Sequence, residues 1–282
     1  MSRIVYVNGD FVAEEDAKIS VFDRGFLFAD GVYEVSSVLN GQLIDNQGHM
    51  VRLHRSLNEL DMASPGTDAE IEAIQKKLIA DNNLEEGLVY LQVTRGAADR
   101  DFIYPKDVKP SLVLFTQAKN LIVNPTAEKG VSVICAPDLR WGRCDVKTVG
   151  LLYPCMAKMQ AKAAGADDAW LVDGDGFITE GTSNNAYIVT KDGTIVTRHL
   201  STDILHGITR KAVLALACEG NLKIEQRAFT PDEAYEAAEG FFTSASAFVM
   251  PVVKIDNMML GDGKPGPITK RLRELYLAMA TQ

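Results

Sequence analysis

Three short stretches hold residue types that do little for a fold and much for chemistry. The first is Arg140-Trp-Gly-Arg-Cys-Asp-Val-Lys-Thr-Val149, a charged connection between two apolar segments. Before it, Val131-Ser-Val-Ile-Cys-Ala136 alternates as a strand does. After it, Leu152, Met156, Met159 and Ala163 recur at helical spacing, which predicts a helix with that stripe facing the core. Lys147, held half-buried between two such elements beside Trp141 and Cys144, has a lowered cost of being neutral, because desolvation disfavours the ammonium. A Schiff-base lysine needs that property, whereas an ordinary surface lysine does not. The second stretch is Phe177-Ile-Thr-Glu-Gly-Thr-Ser-Asn-Asn185, which follows the turn Asp173-Gly-Asp-Gly176. It puts Glu180 at the end of a central strand, where a carboxylate is costly unless a cation meets it. The third is Leu205-His-Gly-Ile-Thr-Arg210. There Gly207 opens a helix marked by Val213, Leu216 and Ala217, and the free N–H groups around Ile208 and Thr209 make a cradle for an anion.

The elements that must position these residues can be read along the chain. Asn8-Gly9-Asp10 between Arg3–Val7 and Phe11-Val12 is a hairpin, and Asn40-Gly41 repeats the signal after Val32–Leu39. One helix presents Met50, Leu53, Leu57 and Leu60 inward, with Arg52 at the edge of that stripe. A second runs over about Asp68–Asp81 with Ile71, Ile74, Leu78 and Ile79 inward, and two strands, Leu88–Thr94 and Leu112–Thr116, enclose the charged loop Arg95–Phe102. Residues 1–118 therefore predict an α/β sandwich domain and 119–130, with Asn124-Pro125, a linker. Residues 131–282 make the larger domain, in which Thr230-Pro-Asp-Glu233 starts a helix, Phe241–Pro251 reads as one buried strand and Ile268–Met279 is an amphipathic helix. The fold class is α+β.

Composition sets limits. The chain has 282 residues, 46% hydrophobic and 24% charged, as soluble globular proteins do. A net charge of −9 speaks against nucleic acid or an anionic membrane as partner. No run of about 18 apolar residues is present to span a bilayer, and Met1-Ser-Arg-Ile-Val-Tyr-Val7 enters a strand without an apolar signal core. Cys135, Cys144, Cys155 and Cys218 lack CxxC spacing, so reduced thiols in a cytoplasm are expected and a metal site is not.

A reactive lysine, a carboxylate placed for a cation and a phosphate cradle are together what pyridoxal 5′-phosphate requires. Arg-Trp-x-Arg-Cys-Asp-x-Lys147, Thr-Glu180-Gly-Thr-Ser-Asn-Asn and Leu-x-Gly207-Ile-Thr-Arg, with Asp23-Arg-Gly-Phe-Leu-Phe-Ala-Asp-Gly-Val-Tyr-Glu34 near the start, resemble in order and spacing the fold-type IV pyridoxal phosphate enzymes. Within them the chain is most similar to the D-amino acid transaminases. The resemblance implies a two-domain fold whose larger domain holds a β-barrel-like sheet with flanking helices. It gives Lys147 the Schiff base with the cofactor and Glu180 the pyridine nitrogen. It implies that Arg52, in His49-Met-Val-Arg-Leu53, holds the phosphate with Gly207, Ile208 and Thr209, and that Ser183 and Asn184 line the cofactor. Alanine stands at Ala245 where a threonine is usual, leaving Ser244 and Ser246 as the phosphate hydroxyls. Tyr33 and Arg100 would bind the substrate α-carboxylate, Arg100 across a homodimer, with Phe102 where relatives have histidine and with Asp101 as a competitor for Arg100.

The activity implied is transfer of an amino group from a D-amino acid to 2-oxoglutarate, giving a 2-oxo acid and D-glutamate. Branched-chain L-amino acid transaminases usually carry Glu-Gly-Ser-Gly-Glu-Asn where this chain has Glu180-Gly-Thr-Ser-Asn-Asn185. An (R)-amine transaminase, an aminodeoxychorismate lyase and a non-catalytic scaffold of the same fold are the other readings; a scaffold has no use for both Lys147 and Glu180.

Overall fold

The computed structural model describes residues 2–281. The chain forms two compact units, Met1–Asn120 with Val146–Gly150, and Leu121–Asp145 with Leu151–Gln282.

The first unit begins with β1 (Ile4–Val7) and β2 (Asp10–Ala13), paired antiparallel across a turn in which Asn8 and Gly9 take φ of 52° and 118°. Only residues tolerant of positive φ fit such a turn, which is why Asn-Gly marks it in the sequence. Then come α1 (Arg24–Phe28), β3 (Gly31–Leu39), β4 (Gln42–Leu43), α2 (Asn46–Glu59), α3 (Asp68–Asp81), β5 (Glu86–Thr94) and β6 (Ser111–Ala118). The described strands make one antiparallel sheet in the order β2-β1-β6-β5-β3-β4. Alternation along a strand sends neighbours to opposite faces. Register therefore groups Val32, Glu34, Val89, Leu91, Val93 and Leu114 on one face, where the apolar members pack with Met50, Leu53 and Leu57 of α2 and Ile71 and Leu78 of α3. Tyr33, Tyr90 and Phe115 fall on the other face as a stacked row, with ring centroids 5.6 and 4.7 Å apart.

The second unit holds α4 (Pro125–Lys129), β7 (Val131–Pro137), α5 (Leu152–Ala163), β8 (Asp168–Val172), β9 (Ile178–Gly181), β10 (Asn185–Val189), β11 (Ile195–Thr197), α6 (Ile208–Glu219), β12 (Ile224–Gln226), α7 (Pro231–Tyr235), β13 (Glu239–Ser244), β14 (Phe248–Ile255), β15 (Met258–Met259) and α8 (Pro267–Ala280). Its sheet runs β12-β11-β10-β13-β14-β7-β8-β9, with β15 beside β14. Strand β9 ends that path, yet it hands directly to β10 through Thr182–Asn184, and Gly181 N–H donates to Asn184 O at 2.8 Å. The sheet therefore curls on itself as a half-barrel. Its core is built on Trp170, Ile178, Ile188, Val196, Phe229 and Val252.

The α+β class and the barrel-like second sheet match the reading of the sequence, and several local expectations do not. Glu180 lies on the terminal strand of the sheet path, not a central one; the curl buries it all the same. Residues 119–130 are not all linker: Leu121 is buried and α4 packs in the second unit. The stretch Phe241–Pro251 is a hairpin, β13 and β14, whose turn at 245–247 carries no glycine or proline to announce it. Val146–Gly150 groups with the first unit, since Val146 enters its core and Thr148 bridges Val32.

The stripe on α5 is reversed. Leu152, Met156 and Met159 are 77%, 57% and 66% exposed, while Ala157 and Ala161 are buried against Ala136, Ala169 and Leu171. Close approach of a helix to strands requires small residues on the contact face, so the alanines face inward although the larger apolar side chains have the same period. Enlarging the true contact face should therefore hurt. Ala161→Leu is expected to cost about 1–3 kcal/mol by overpacking, and Met159→Gln less than about 0.5 kcal/mol. Urea melts of the two variants check this, and the opposite order contradicts the helix orientation.

Candidate functional site

The sequence-predicted residues fall into two sets, one in each unit. In the first unit, residues 146–150 are tied to the edge of β3 and to α2. Tyr33 N–H donates to Lys147 O at 3.0 Å and Val149 N–H to Gly31 O at 3.1 Å. Lys147 N–H reaches Ser56 Oγ of α2 at 3.4 Å. These bonds fix the backbone of Lys147, and its Nζ lies 4.0 Å from the Tyr33 ring centroid. A cation so placed gains from the ring's quadrupole. Lys147 and Tyr33 are thus brought together, each half-buried. Trp141, expected to be half-buried, belongs with Cys144 to the second unit and is 48% exposed. Burial pushes the Cys144 thiol up to about 12, so it is no nucleophile near neutrality.

Arg52, placed by its spacing at the edge of the α2 stripe, is buried. Its Nε and Nη2 donate to Glu34 Oε1 and Oε2 at 2.8 and 2.6 Å, a bidentate pair, and His49 Nδ1 lies 2.7 Å from Glu34 Oε2. Burial alone would raise the Glu34 carboxyl. The Arg52 charge and the hydrogen bonds from Arg52 and His49 more than offset this and hold it at about 2.

Arg100 and Phe102 sit together on the loop between β5 and β6. The Arg100 guanidinium lies 5.1 Å from the Phe28 ring centroid and 5.5 Å from that of Phe102. The Asp101 carboxylate accepts from Ile103 N–H at 3.1 Å, and Asp101 O accepts from Arg24 Nη1 at 2.6 Å. Arg24 Nε and Arg95 Nε both donate to Asp30 Oδ2, at 2.7 and 2.8 Å, so the loop rests on a buried ionic strut.

In the second unit Glu180 is 4% exposed and has its cation: Arg140 Nη1 donates to Oε1 at 2.5 Å. Asn185 Nδ2 and Leu205 N–H donate to Oε2 at 2.8 and 3.1 Å. Arg140 is shared, with Nε and Nη2 bonded to the two carboxylate oxygens of Asp138 at 2.9 and 2.7 Å and Nη2 also to Asp203 O at 3.1 Å. Burial accordingly prevails over these partners and Glu180 lies above the usual carboxylate range. A buried acid so poised suits a partner that brings its own positive charge and a proton.

Gly207 is the N-cap of α6 and no side chain caps it, so the first-turn N–H groups at Ile208 and Thr209 have no intrahelical acceptor. Thr209 is buried there. Asp168 braces the turn after β9, accepting from Thr182 Oγ1 at 2.6 Å and Asn184 Nδ2 at 2.8 Å, while Ser183 stands exposed. Ser244 and Ser246 flank the turn between β13 and β14 with their hydroxyls 3.4 Å apart. Sequence reasoning gave no role to Arg140, Asp138 or Asn185. The need of Glu180 for a cation was the available signal, and Asp138-Leu-Arg140, with acid and base two residues apart, supplies it. Among the described residues no cluster of three metal-ligating side chains occurs, and no helix is long and apolar enough to cross a membrane.

The model of the amino-transferase class IV family matches residues 31–255. The D-alanine aminotransferase of Bacillus licheniformis is 41% identical over 271 residues, covering 95% of this chain and 94% of that protein. Among solved structures, a T.th. branched-chain amino acid aminotransferase with pyridoxamine 5′-phosphate superposes with a TM-score of 0.91 at 28% identity, over 100% of this chain and 95% of the other. The Escherichia coli branched-chain enzyme gives 0.91 at 22% identity over 99% and 95%, a likeness of fold.

The Glu34 pair has a consequence in acid. Its carboxyl is depressed on folding, so the stabilisation is complete above the ordinary value of 4.5 and is lost as the pH falls toward about 2. That interval is worth about 3 kcal/mol at 1.36 kcal/mol per pH unit. Urea midpoints of the wild type are expected to fall across this window more steeply than those of Glu34→Gln. Parallel pH profiles would show that Glu34 is not held as a paired anion.

Proposed function

The chain belongs to the amino-transferase class IV family, and from that premise we propose that it transaminates D-amino acids with 2-oxoglutarate, releasing a 2-oxo acid and D-glutamate. It is a pyridoxal 5′-phosphate-dependent aminotransferase. The residues present fit that group. An uncapped helix N-terminus offers N–H donors to a phosphate, a buried acid above its usual range stands ready for a ring nitrogen, and a lysine amine is fixed over a tyrosine ring. The observation that carries the D-amino acid reading is the 41% identity to a D-alanine aminotransferase over 95% of this chain. The sequence of the Glu180 turn supports it.

In this reading Lys147 would hold the cofactor through its amine and would act as the acid and base that moves the proton at substrate Cα. When bound, the cofactor withdraws electrons from Cα through its ring. Glu180, oriented by Arg140 and Asn185, keeps the ring nitrogen protonated. Arg52, oriented by Glu34, would be a phosphate ligand in the first unit; in the second, the N–H groups of Ile208 and Thr209 after Gly207 and the hydroxyls of Ser244 and Ser246 would be the phosphate donors. Ser183 and Asn184 line the cofactor. Tyr33 takes the substrate α-carboxylate with the partner subunit's Arg100, in a cytoplasmic homodimer. Exposure of Phe102 and Ile103, 77% and 76%, supports burial of that loop against a second copy.

A second reading, (R)-amine transamination, draws on Phe102, which offers an apolar face beside Arg100. Coupled assays with 2-oxoglutarate as acceptor separate the possibilities. D-alanine is expected to give the highest kcat/KM; L-leucine or an (R)-arylamine turning over faster would overturn the reading.

Arg100→Ala removes a charge-assisted hydrogen bond and should lower kcat/KM for D-alanine by about 10- to 100-fold, with little effect on an (R)-arylamine. Phe102→His should improve D-alanine and worsen the arylamine. Equal losses on both substrates in Arg100→Ala would mean that the α-carboxylate is bound elsewhere.

A further inference from the structure

Asn185 has so far figured only as a support for Glu180, yet its side chain touches both functional parts of the second unit. It opens β10 and is 4% exposed. An amide nitrogen has two hydrogens to give. One goes to Glu180 Oε2 at 2.8 Å, the other to Leu205 O at 2.9 Å. Leu205 N–H in turn donates to the same Glu180 oxygen at 3.1 Å, which closes a ring of three hydrogen bonds among Glu180, Asn185 and Leu205. Asn185 Oδ1 meanwhile lies against the backbone of Gly207, where it occupies the space that a Cβ would need. Gly207 has φ of −63°, which any residue adopts, so space and not backbone freedom requires glycine here.

The acid set for the ring nitrogen is thus bonded to one end of an amide whose other end lies against the first residue of the phosphate cradle. Shifting the backbone at Gly207 moves the Asn185 amide, which changes the donors that reach Glu180, and the reverse holds as well. We infer that Asn185 is a positioning residue that couples the two ends of the cofactor site, so that an anion in the α6 cradle and an aromatic ring at Glu180 each favour binding of the other. This rests on the assignment of Glu180 and Gly207–Thr209 to the two ends of the cofactor, and coupling of this kind is reciprocal.

The test divides the cofactor into two probes, pyridoxal and inorganic phosphate, titrated into the full-length chain stripped of cofactor. Pyridoxal affinity is read from its visible absorption, with and without phosphate at constant ionic strength. In the wild type, phosphate is expected to tighten pyridoxal by about 5- to 10-fold. In Asn185→Ala that factor falls to about 1. Gly207→Ala, whose new methyl displaces the amide from the other side, should lose it too, and carries the test if Asn185→Ala does not fold. A merely structural role for Asn185 would lower melting temperature and leave the factor intact. Persistence of the factor in a folded variant overturns the inference, and so does its absence in the wild type. The transaminase reading fails separately: a wild type that couples the two probes but does not turn over D-alanine overturns that reading alone.

Discussion

A carboxylate taken out of water must be met by positive charge and hydrogen-bond donors, and both units are organised around that demand. Glu34 in the first and Glu180 in the second are each almost fully buried, and each is met by an arginine. Removing one partner of such a pair typically costs about 3–5 kcal/mol, because the other charge is left uncompensated. The two pairs are built differently. Glu34 has the whole fork of Arg52 and a histidine, and its carboxyl falls to about 2. Glu180 has one nitrogen of an arginine that also serves Asp138, and its carboxyl is raised.

That difference separates anchoring from poise. The Glu34 pair joins β3 to α2, and β3 carries Tyr33 and the segment bearing Lys147 along its edge. A strong pair there gives the lysine a rigid base. The weaker grip on Glu180 leaves it dependent on Asn185 and on the loop before α6. A carboxylate already fully satisfied would have little left for a ligand; one held by shared partners still gains from a further cation.

Much of this was legible in the chain because it rests on local rules. Asn8-Gly9 and Asn40-Gly41 turn where their φ tolerance predicts, and α3 spans Asp68–Asp81 as its periodicity and its Thr67–Glu70 capping box require. Lys147, Glu180 and Gly207 stood out because their types are costly or idle in a plain fold. The face of α5 was misread because period alone does not tell large apolar side chains on a surface from alanines in a close contact. The turn between β13 and β14 is made of Ala245, Ser246 and Ala247, none of which breaks a strand pattern. Arg140 and Asn185 escaped because their purpose exists only once β7, β9, β10 and the loop before α6 lie side by side. The return of residues 146–150 to the first unit follows from the burial of Val146, one valine in a charged loop.

The central claim is that Lys147 is the residue that holds the cofactor. Borohydride reduction of the yellow holoenzyme, followed by peptide mapping, tests it most directly. The account predicts bleaching of the visible band and a single reduced cofactor adduct on the peptide containing Lys147. An adduct on any other lysine, or a bleached protein that keeps no adduct after denaturation, would contradict it.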